Sequence, residues 1–256
     1  MPPTAVISDI HANIHALQAV LAHIREQGVE RVICLGDVIG YGAHPAECID
    51  AARAFAVCLR GNHEQGVLHD ASQFNREAQR ATMWTRSQLK PGLLSASAKK
   101  DRWRFLETLP ESHQENDVLF VHGSPRNPVW EYLFAMDSAD LLGGISTKLA
   151  ENLSLVKKLC FVGHTHVPCV IEGTGVYRSS AALGGTFTIE RGSTAIVNVG
   201  SVGQPRDNDP RAGYATWEND TITFHRVKYD AAAAAKDIIG IAGLPPILGE
   251  RLLTGI

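Results

Sequence analysis

Five short blocks hold side chains able to grip a metal ion or a phosphate: Asp9-x-His11, Gly36-Asp37, Gly61-Asn62-His63, His122-Gly123 and Gly163-His164-Thr165-His166. Carboxylate, carboxamide and imidazole are oxygen and nitrogen donors. With no thiolate among them they suit Mn²⁺, Fe²⁺, Zn²⁺, Co²⁺ or Ni²⁺ and disfavour Ca²⁺ or Cu⁺. Each block alone says little, because an isolated histidine is more often a satisfied polar residue than a ligand. Taken in order, all five read as one site. Asp9 and His11 can face a single ion if the chain turns between them, and His164 and His166 can face two ions in the same way. Glycines beside the donors (Gly36, Gly61, Gly123, Gly163) permit sharp turns and close backbone approach.

Each block closes an apolar run. Thr4 to Ser8, Arg31 to Leu35, Ala54 to Leu59, Val118 to Val121 and Leu159 to Val162 read as buried strands. Between the first two lies a helix with Asn13 as N-cap, Ile14, Leu17, Val20, Leu21 and Ile24 as its apolar face, and Gly28 at its C-terminal end. A short helix around Ala46 to Ala54 precedes the third strand. Strand, loop and helix in alternation predict an α/β fold with a largely parallel sheet, whose ligands bind at the carboxyl ends of the strands. The five blocks all fall at such ends.

Residues 64–112 are polar, helical in pattern and broken at Lys90-Pro91-Gly92, which predicts an inserted helical cap beside the site. A helix is expected over about 137–153. Beyond His166 the period becomes two. Short pieces at 168–172, 176–180, 185–190, 194–199, 213–218 and 221–227 predict a second, mixed or antiparallel sheet packed on the first. An alanine-rich helix at 230–239 opens a helical tail over 230–256, and the whole of 1–256 reads as one domain.

Composition narrows the class. Of 256 residues, 45% are hydrophobic and 20% charged, which is ordinary for a packed domain. The 24 basic against 27 acidic residues give a net charge of −3, so no basic excess exists to bind a nucleic-acid polymer strongly. No apolar run nears the roughly 18–20 residues that span a bilayer. The start, MPPTAVISD, lacks the basic-then-apolar pattern of a signal peptide. Five cysteines without a CxxC fit a reducing compartment, so a cytoplasmic protein is expected. Of eleven histidines, His15, His23, His44, His69, His113 and His225 read as structural or surface residues. Self-association is left open.

The series SDIHAN (8–13), GDVIGYG (36–42), GNHE (61–64), VHGSP (121–125) and GHTH (163–166) resembles the calcineurin-like metallophosphoesterase superfamily. NVGSVGQPRD (198–207) is similar to a block of its bacterial small-phosphodiesterase branch, which includes asymmetrical diadenosine-tetraphosphate hydrolases. The resemblance implies a four-layer α/β/β/α sandwich of two mixed sheets. It also implies two divalent transition-metal ions, Mn first, with Fe, Zn, Ni or Co as alternatives. Asp9, His11 and His166 would hold one ion; Asn62, His122 and His164 would hold the other; Asp37 would bridge them. Two such ions about 3.5–4 Å apart can share a hydroxide that attacks phosphorus in line. With both carboxylates and that hydroxide the site would keep a net charge of about +1.

By the same resemblance His63 would be the general acid for the leaving oxygen, or would position the phosphate. Protein phosphatases of the superfamily read GDxxDRG where this chain has Gly40 and Tyr41. The carboxylate that would orient His63 is therefore missing, and so is a phosphate-binding arginine, which lowers the protein-phosphatase reading. Tyr41 offers a ring and a hydroxyl for substrate, or simple packing. Arg126 and Arg206 could replace the missing arginine or form surface ion pairs. Asn198, Gly200 and Ser201 are expected to support the loop behind His166, while Trp84, Trp103 and Trp130 are expected to pack the cap. The expected activity is hydrolysis of a phosphodiester or phosphoanhydride in a small nucleotide-like substrate, such as a dinucleoside polyphosphate. A phosphomonoesterase is the enzymatic alternative. A non-catalytic scaffold of the same fold is the alternative of another class.

Overall fold

The computed structural model describes residues 2–138 and 144–256. Strands β1 (Thr4–Ile7), β2 (Arg31–Cys34) and β3 (Val57–Cys58) pair in parallel, with Ile7 opposite Cys34 and Cys34 opposite Cys58. In the other half, β4 (Ser112–Glu115) runs antiparallel to β5 (Val118–Val121), which pairs in parallel with β6 (Leu159–Val162).

The later strands do not form a sheet of their own, which corrects the expectation drawn from their period of two. They are β7 (Cys169–Glu172), β8 (Tyr177–Ser179), β9 (Thr186–Thr188), β10 (Ala195–Asn198), β11 (Ala212–Glu218) and β12 (Thr221–Val227). Three join each half, giving sheets ordered β3-β2-β1-β11-β12-β9 and β4-β5-β6-β10-β7-β8. β11 joins β1 antiparallel, and β10 joins β6 in parallel. Periodicity reports which faces of a strand are buried but not which neighbour it chooses, so this division was invisible locally.

The two sheets are packed face to face. Val6, Ile33 and Trp217 of one and Phe120, Phe161 and Val197 of the other share one buried cluster. The first sheet's other face is covered by α1 (Ile14–Glu26), α2 (Pro45–Ala52) and α5 (Ser97–Thr108), as Leu17, Val20, Ile49 and Leu106 pack with Ala5 and Ile7. On the second sheet, Leu149 of α6 (Thr147–Ser154) packs with Val121 and Ile171. The architecture is the expected α/β/β/α sandwich. Because β1 and β6 are buried on both faces, they read as unbroken apolar runs.

The cap comprises α3 (Asn62–Leu68), α4 (Arg76–Leu89) and α5. Of the helix expected over 137–153, a 3₁₀ turn at Ala135–Asp137 and α6 are seen; the part over 139–143 lies outside the described residues. The tail, α7 (Ala231–Ile239), α8 (Ile247–Glu250) and a 3₁₀ turn at Arg251–Leu253, packs against the cap. Ala234, Ile238, Leu248 and Leu252 bury themselves with Ala78, Ala81 and Tyr41. Arg80 fastens this contact by donating to the carbonyls of Ala242 (2.7 Å) and Gly243 (3.2 Å).

Candidate metal and phosphate site

The loops after β1 and β2 are laced together: Asp9 N–H donates to Gly36 O (3.1 Å), His11 N–H to Asp37 O (2.9 Å) and Ala12 N–H to Val38 O (2.9 Å). Unusual backbone gathers in these two loops and in the loop after β6. Asp9, His11, Ala12, Asp37, Tyr41, His164 and His166 have φ between 49° and 66°, the left-handed region that side chains other than glycine avoid. Such conformations cost about 1–3 kcal/mol each and persist where the surroundings enforce them, commonly at functional sites. Here they turn donors from neighbouring positions inward.

Two groups of donors result. In the first, His11 Nε2 lies 3.0 Å from His166 Nε2 and 3.8 Å from Asp9 Oδ1, while His166 Nε2 lies 3.2 Å from Asp9 Oδ1. In the second, His122 Nε2 lies 3.0 Å from Asn62 Oδ1, 3.1 Å from His164 Nδ1 and 3.3 Å from Asp37 Oδ2. Asp37 Oδ2 also lies 3.8 Å from His11 Nε2, so this one oxygen reaches both groups. Neighbouring donors about 2.1 Å from a common ion stand roughly 3.0–3.4 Å from one another. The separations of 3.0–3.3 Å within each group fit such a coordination polyhedron, the two 3.8 Å separations from His11 being wider.

The hydrogen bonds behind the rings set their tautomers. His166 Nδ1–H donates to Gln204 O (2.5 Å), His11 Nδ1–H to Ile39 O (3.3 Å) and His164 Nε2–H to Trp130 O (3.2 Å). That leaves lone pairs on His166 Nε2, His11 Nε2 and His164 Nδ1, all facing inward. Charge agrees. The carboxyls of Asp9 and Asp37 are held well below their ordinary range: burial opposes this, but the imidazoles of His166 and His122 outweigh it. Burial keeps His11 neutral and pulls His164 down to about 3. His122 is the exception, raised to about 9 against burial by the Asp37 carboxylate. Asp9 Oδ1 is buried with no hydrogen-bond partner. Two ionised carboxylates and inward lone pairs, deeply buried, form a donor set that fits divalent cations.

Around this core the supporting residues take definite places. Glu64 is fully buried and accepts from the backbone N–H groups of Asp37 (2.9 Å), Ile39 (3.1 Å) and Gly61 (2.8 Å), locking the second and third blocks together. Burial, and then the Asp37 charge, raise its carboxyl to about 7. Asn198 donates to Gly163 O (2.5 Å) and Thr165 Oγ1 (2.9 Å), and Ser201 donates to Asp9 O (2.9 Å), as expected of a support behind His166.

His63 lies beside the donors, its ring 4.8 Å from that of His11 and 4.7 Å from Phe74, with Nδ1 buried and unpartnered. Burial pulls it down to about 4 against the opposing Asp37 charge. Tyr41 packs 4.4 Å from His63 and 4.6 Å from His11, and the Arg206 guanidinium lies 5.8 Å from the centre of its ring. Arg126, by contrast, is engaged elsewhere: its Nε donates to both oxygens of Glu131 (2.9 and 3.0 Å), and it pairs with Glu151 as well. Its guanidinium is therefore a surface ion pair and does not line the site. His15 and His44 both donate to Asp237 Oδ2 (2.8 Å each), which ties α7 to α1 and α2.

A cavity of about 400 Å³ opens beside the donors, with Tyr41, Asn62, Phe74, Trp130, Tyr132 and Arg206 in its wall. The Tyr132 ring stacks on His164 at 3.6 Å, and Phe74 lies 5.5 Å from Trp130. Trp130 thus lines the cavity instead of packing only the cap. Phe74, Tyr132 and Arg251, which also lines it, went unnoticed in the sequence, where no spacing marks them. A wider cleft of about 550 Å³ around Gly173, Phe187 and Thr194 has no imidazole or thiol in its wall, so size alone does not locate the chemistry.

The calcineurin-like phosphoesterase superfamily domain matches residues 3–221. A Methanocaldococcus jannaschii protein known as uncharacterized protein MJ0912 is 36% identical, over 98% of this chain and 97% of its own. The crystal structure of a metallophosphoesterase from Sphaerobacter thermophilus is similar across 100% of this chain and 99% of its own, at 36% identity and a TM-score of 0.78. Hypothetical protein PH1004 from Pyrococcus horikoshii shares the fold, with a TM-score of 0.73 at 20% identity over 100% and 99% of the two chains.

Proposed function

We propose that this chain, which belongs to the calcineurin-like phosphoesterase superfamily and is a metal-dependent phosphoesterase, uses two divalent transition-metal ions to hydrolyse a phosphodiester or phosphoanhydride in a small nucleotide-like substrate. One observation carries the two-ion reading: Asp37 Oδ2 stands between two donor groups, 3.8 Å from His11 Nε2 and 3.3 Å from His122 Nε2. In this reading Asp9, His11 and His166 hold one ion, Asn62, His122 and His164 the other, and Asp37 both. Manganese is the first choice among the metals this donor set accepts. Bound ions of this kind acidify water and neutralise charge on phosphoryl oxygens.

The remaining work falls to the chain. His63 is buried beside the donors with Nδ1 packed against Gly40, which leaves Nε2 to serve the substrate as a proton or hydrogen-bond donor. Tyr41 and Arg206 line the approach. The aromatic wall of Phe74, Trp130 and Tyr132 supports a substrate with a flat apolar portion, such as a nucleobase. The net charge of −3 supports a small substrate over a nucleic-acid polymer.

The test is to load the purified protein with Mn²⁺, count ions per chain, and assay bis-p-nitrophenyl phosphate beside p-nitrophenyl phosphate. Two ions per chain and faster cleavage of the diester are expected. Fewer than one ion per chain with no cleavage of either ester would overturn the reading. Faster cleavage of the monoester would favour a phosphomonoesterase.

A further inference from the structure

Arg206 and Arg251 reach the cavity beside the donors from opposite ends of the C-terminal region. Arg206 follows the loop whose Gln204 carbonyl orients His166. Arg251 begins the last 3₁₀ turn, held there because Leu248 and Leu252 on either side of it are buried against the cap. Buried or half-buried arginines are normally matched by carboxylates. Among the described residues neither guanidinium makes an ion pair: Arg206 donates to the neutral Gln204 Oε1 (2.8 Å) and interacts with the neutral Tyr41 hydroxyl, and the Nε atoms of both arginines are buried without a hydrogen-bond partner. Glu77 is the one carboxylate whose charge acts noticeably on Arg251, after the Tyr41 hydroxyl, and it forms no bond to it. Burial first, and then the like charge of Arg206, lower the Arg251 pKa, so the two cations are close enough to oppose each other.

Two converging, unmatched guanidinium groups are an anion receptor. The site extends beyond a phosphate on the metals on the Arg251 side: that arginine also lines a recess with Tyr41, Asn75 and Glu77 that contains none of the donors. We infer that Arg206 and Arg251 form a second phosphate subsite, so that the preferred substrate carries a further phosphate beyond the one that is cleaved. This rests on the phosphoesterase reading above and narrows it. The second phosphate can belong to a polyphosphate chain or to another hydroxyl of the same nucleoside; the chemistry recognised is the same.

The first test needs no catalysis. The metal-free protein is titrated with inorganic pyrophosphate by calorimetry. Binding is expected, weakened about 10- to 100-fold in Arg251→Gln and in Arg206→Gln, with Arg251→Lys recovering part of the loss. No binding by the unaltered protein, or equal binding by all four proteins, overturns the subsite. The second test compares kcat/KM in the Mn²⁺-loaded protein for three substrates: the p-nitrophenyl ester of thymidine 5′-monophosphate, its 3′-phosphorylated counterpart, and diadenosine tetraphosphate. Arg251→Gln should reduce kcat/KM for at least one of the latter two about 10-fold more than for the first, and the substrate affected identifies the source of the phosphate. A loss shared equally by all three overturns the subsite. If the unaltered protein cleaves none of them, the phosphoesterase reading fails while the pyrophosphate titration still decides the subsite.

Discussion

Gly40 lies directly against His63: a Cβ built on Gly40 would stand 2.1 Å from His63 Nδ1. The backbone there has φ +91°, so glycine is required both for space and for conformation. Where protein phosphatases of the superfamily carry a carboxylate, this chain has only a hydrogen atom. His63 is held instead by the rings of Tyr41, Phe74 and His11, together with the bond from its backbone N–H to Asp37 Oδ1 (2.8 Å). Packing, in place of charge, fixes its orientation.

Gly40→Ala should therefore displace the imidazole and leave the donor groups in place. We expect bound metal to stay at the unaltered level while kcat falls about 10- to 100-fold. Full removal, in His63→Ala, should slow turnover by about 10²–10⁴. Metal analysis and steady-state rates on a series of aryl phosphodiesters check both. If His63 is the acid, the loss shrinks as the leaving group improves; an equal loss across the series assigns it to positioning. Unchanged kcat in Gly40→Ala would show that the contact does not position His63.

The donors were legible because each stands at the end of a buried strand, where an apolar run stops at a polar residue. Asp9 after Ile7 and His122 after Val121 need no tertiary knowledge to be noticed. What their spacing could not convey was the backbone that aims them. The positive φ of Asp9 and His166 is enforced by contacts from residues far along the chain, such as the bond from Ser201 to Asp9 O. The cavity wall was illegible for a related reason. Phe74, Tyr132 and Arg251 come from the cap, a loop and the tail, and only packing brings them together. Arg126 misled because its SPR context adjoins His122, yet Glu131 and Glu151 lie closer to its guanidinium than any site residue does to it.

Glu64 shows how a residue outside the donor set can control it. Its two oxygens satisfy three backbone N–H groups in the loops bearing Asp37 and Asn62. In Glu64→Gln one oxygen becomes an NH₂ that faces an N–H, leaving buried donors unmatched at a cost of about 1–3 kcal/mol. Thermal unfolding should shift down by roughly 3–10 °C for a chain of this size. Metal affinity should weaken about 10- to 100-fold, as when other groups that orient ligands are altered. Unchanged melting and unchanged affinity together would remove Glu64 from this role.

Asp37→Ala tests the shared ligand. With one oxygen within reach of both donor groups, its loss should empty both and abolish cleavage. Ion counting by mass spectrometry after dialysis is the measurement. Retention of two ions per chain would sink the bridging assignment. Retention of one would show two independent groups.

Far from the site, His225 should make stability depend on pH. Its ring stacks on Tyr214 at 4.6 Å, its Nε2 lies 2.8 Å from Thr216 Oγ1, and the His23 ring stands 5.5 Å away. Burial, and then His23, pull its pKa down to about 4, below the value near 6.5 of an unfolded chain. The folded form therefore resists a proton that the unfolded form accepts. The sign follows: stability from a neutral His225 is fully present above about pH 6.5 and is lost as pH falls towards 4. Because the ring is only half buried, solvent screening reduces the effect to about 1–2 kcal/mol. Urea unfolding of the unaltered protein and of His225→Gln at pH 7, 5.5 and 4.5 isolates it, since other titrating groups are common to both. The stability gap between the two proteins should narrow as pH falls; a gap constant across the three values would mean that His225 does not titrate with folding.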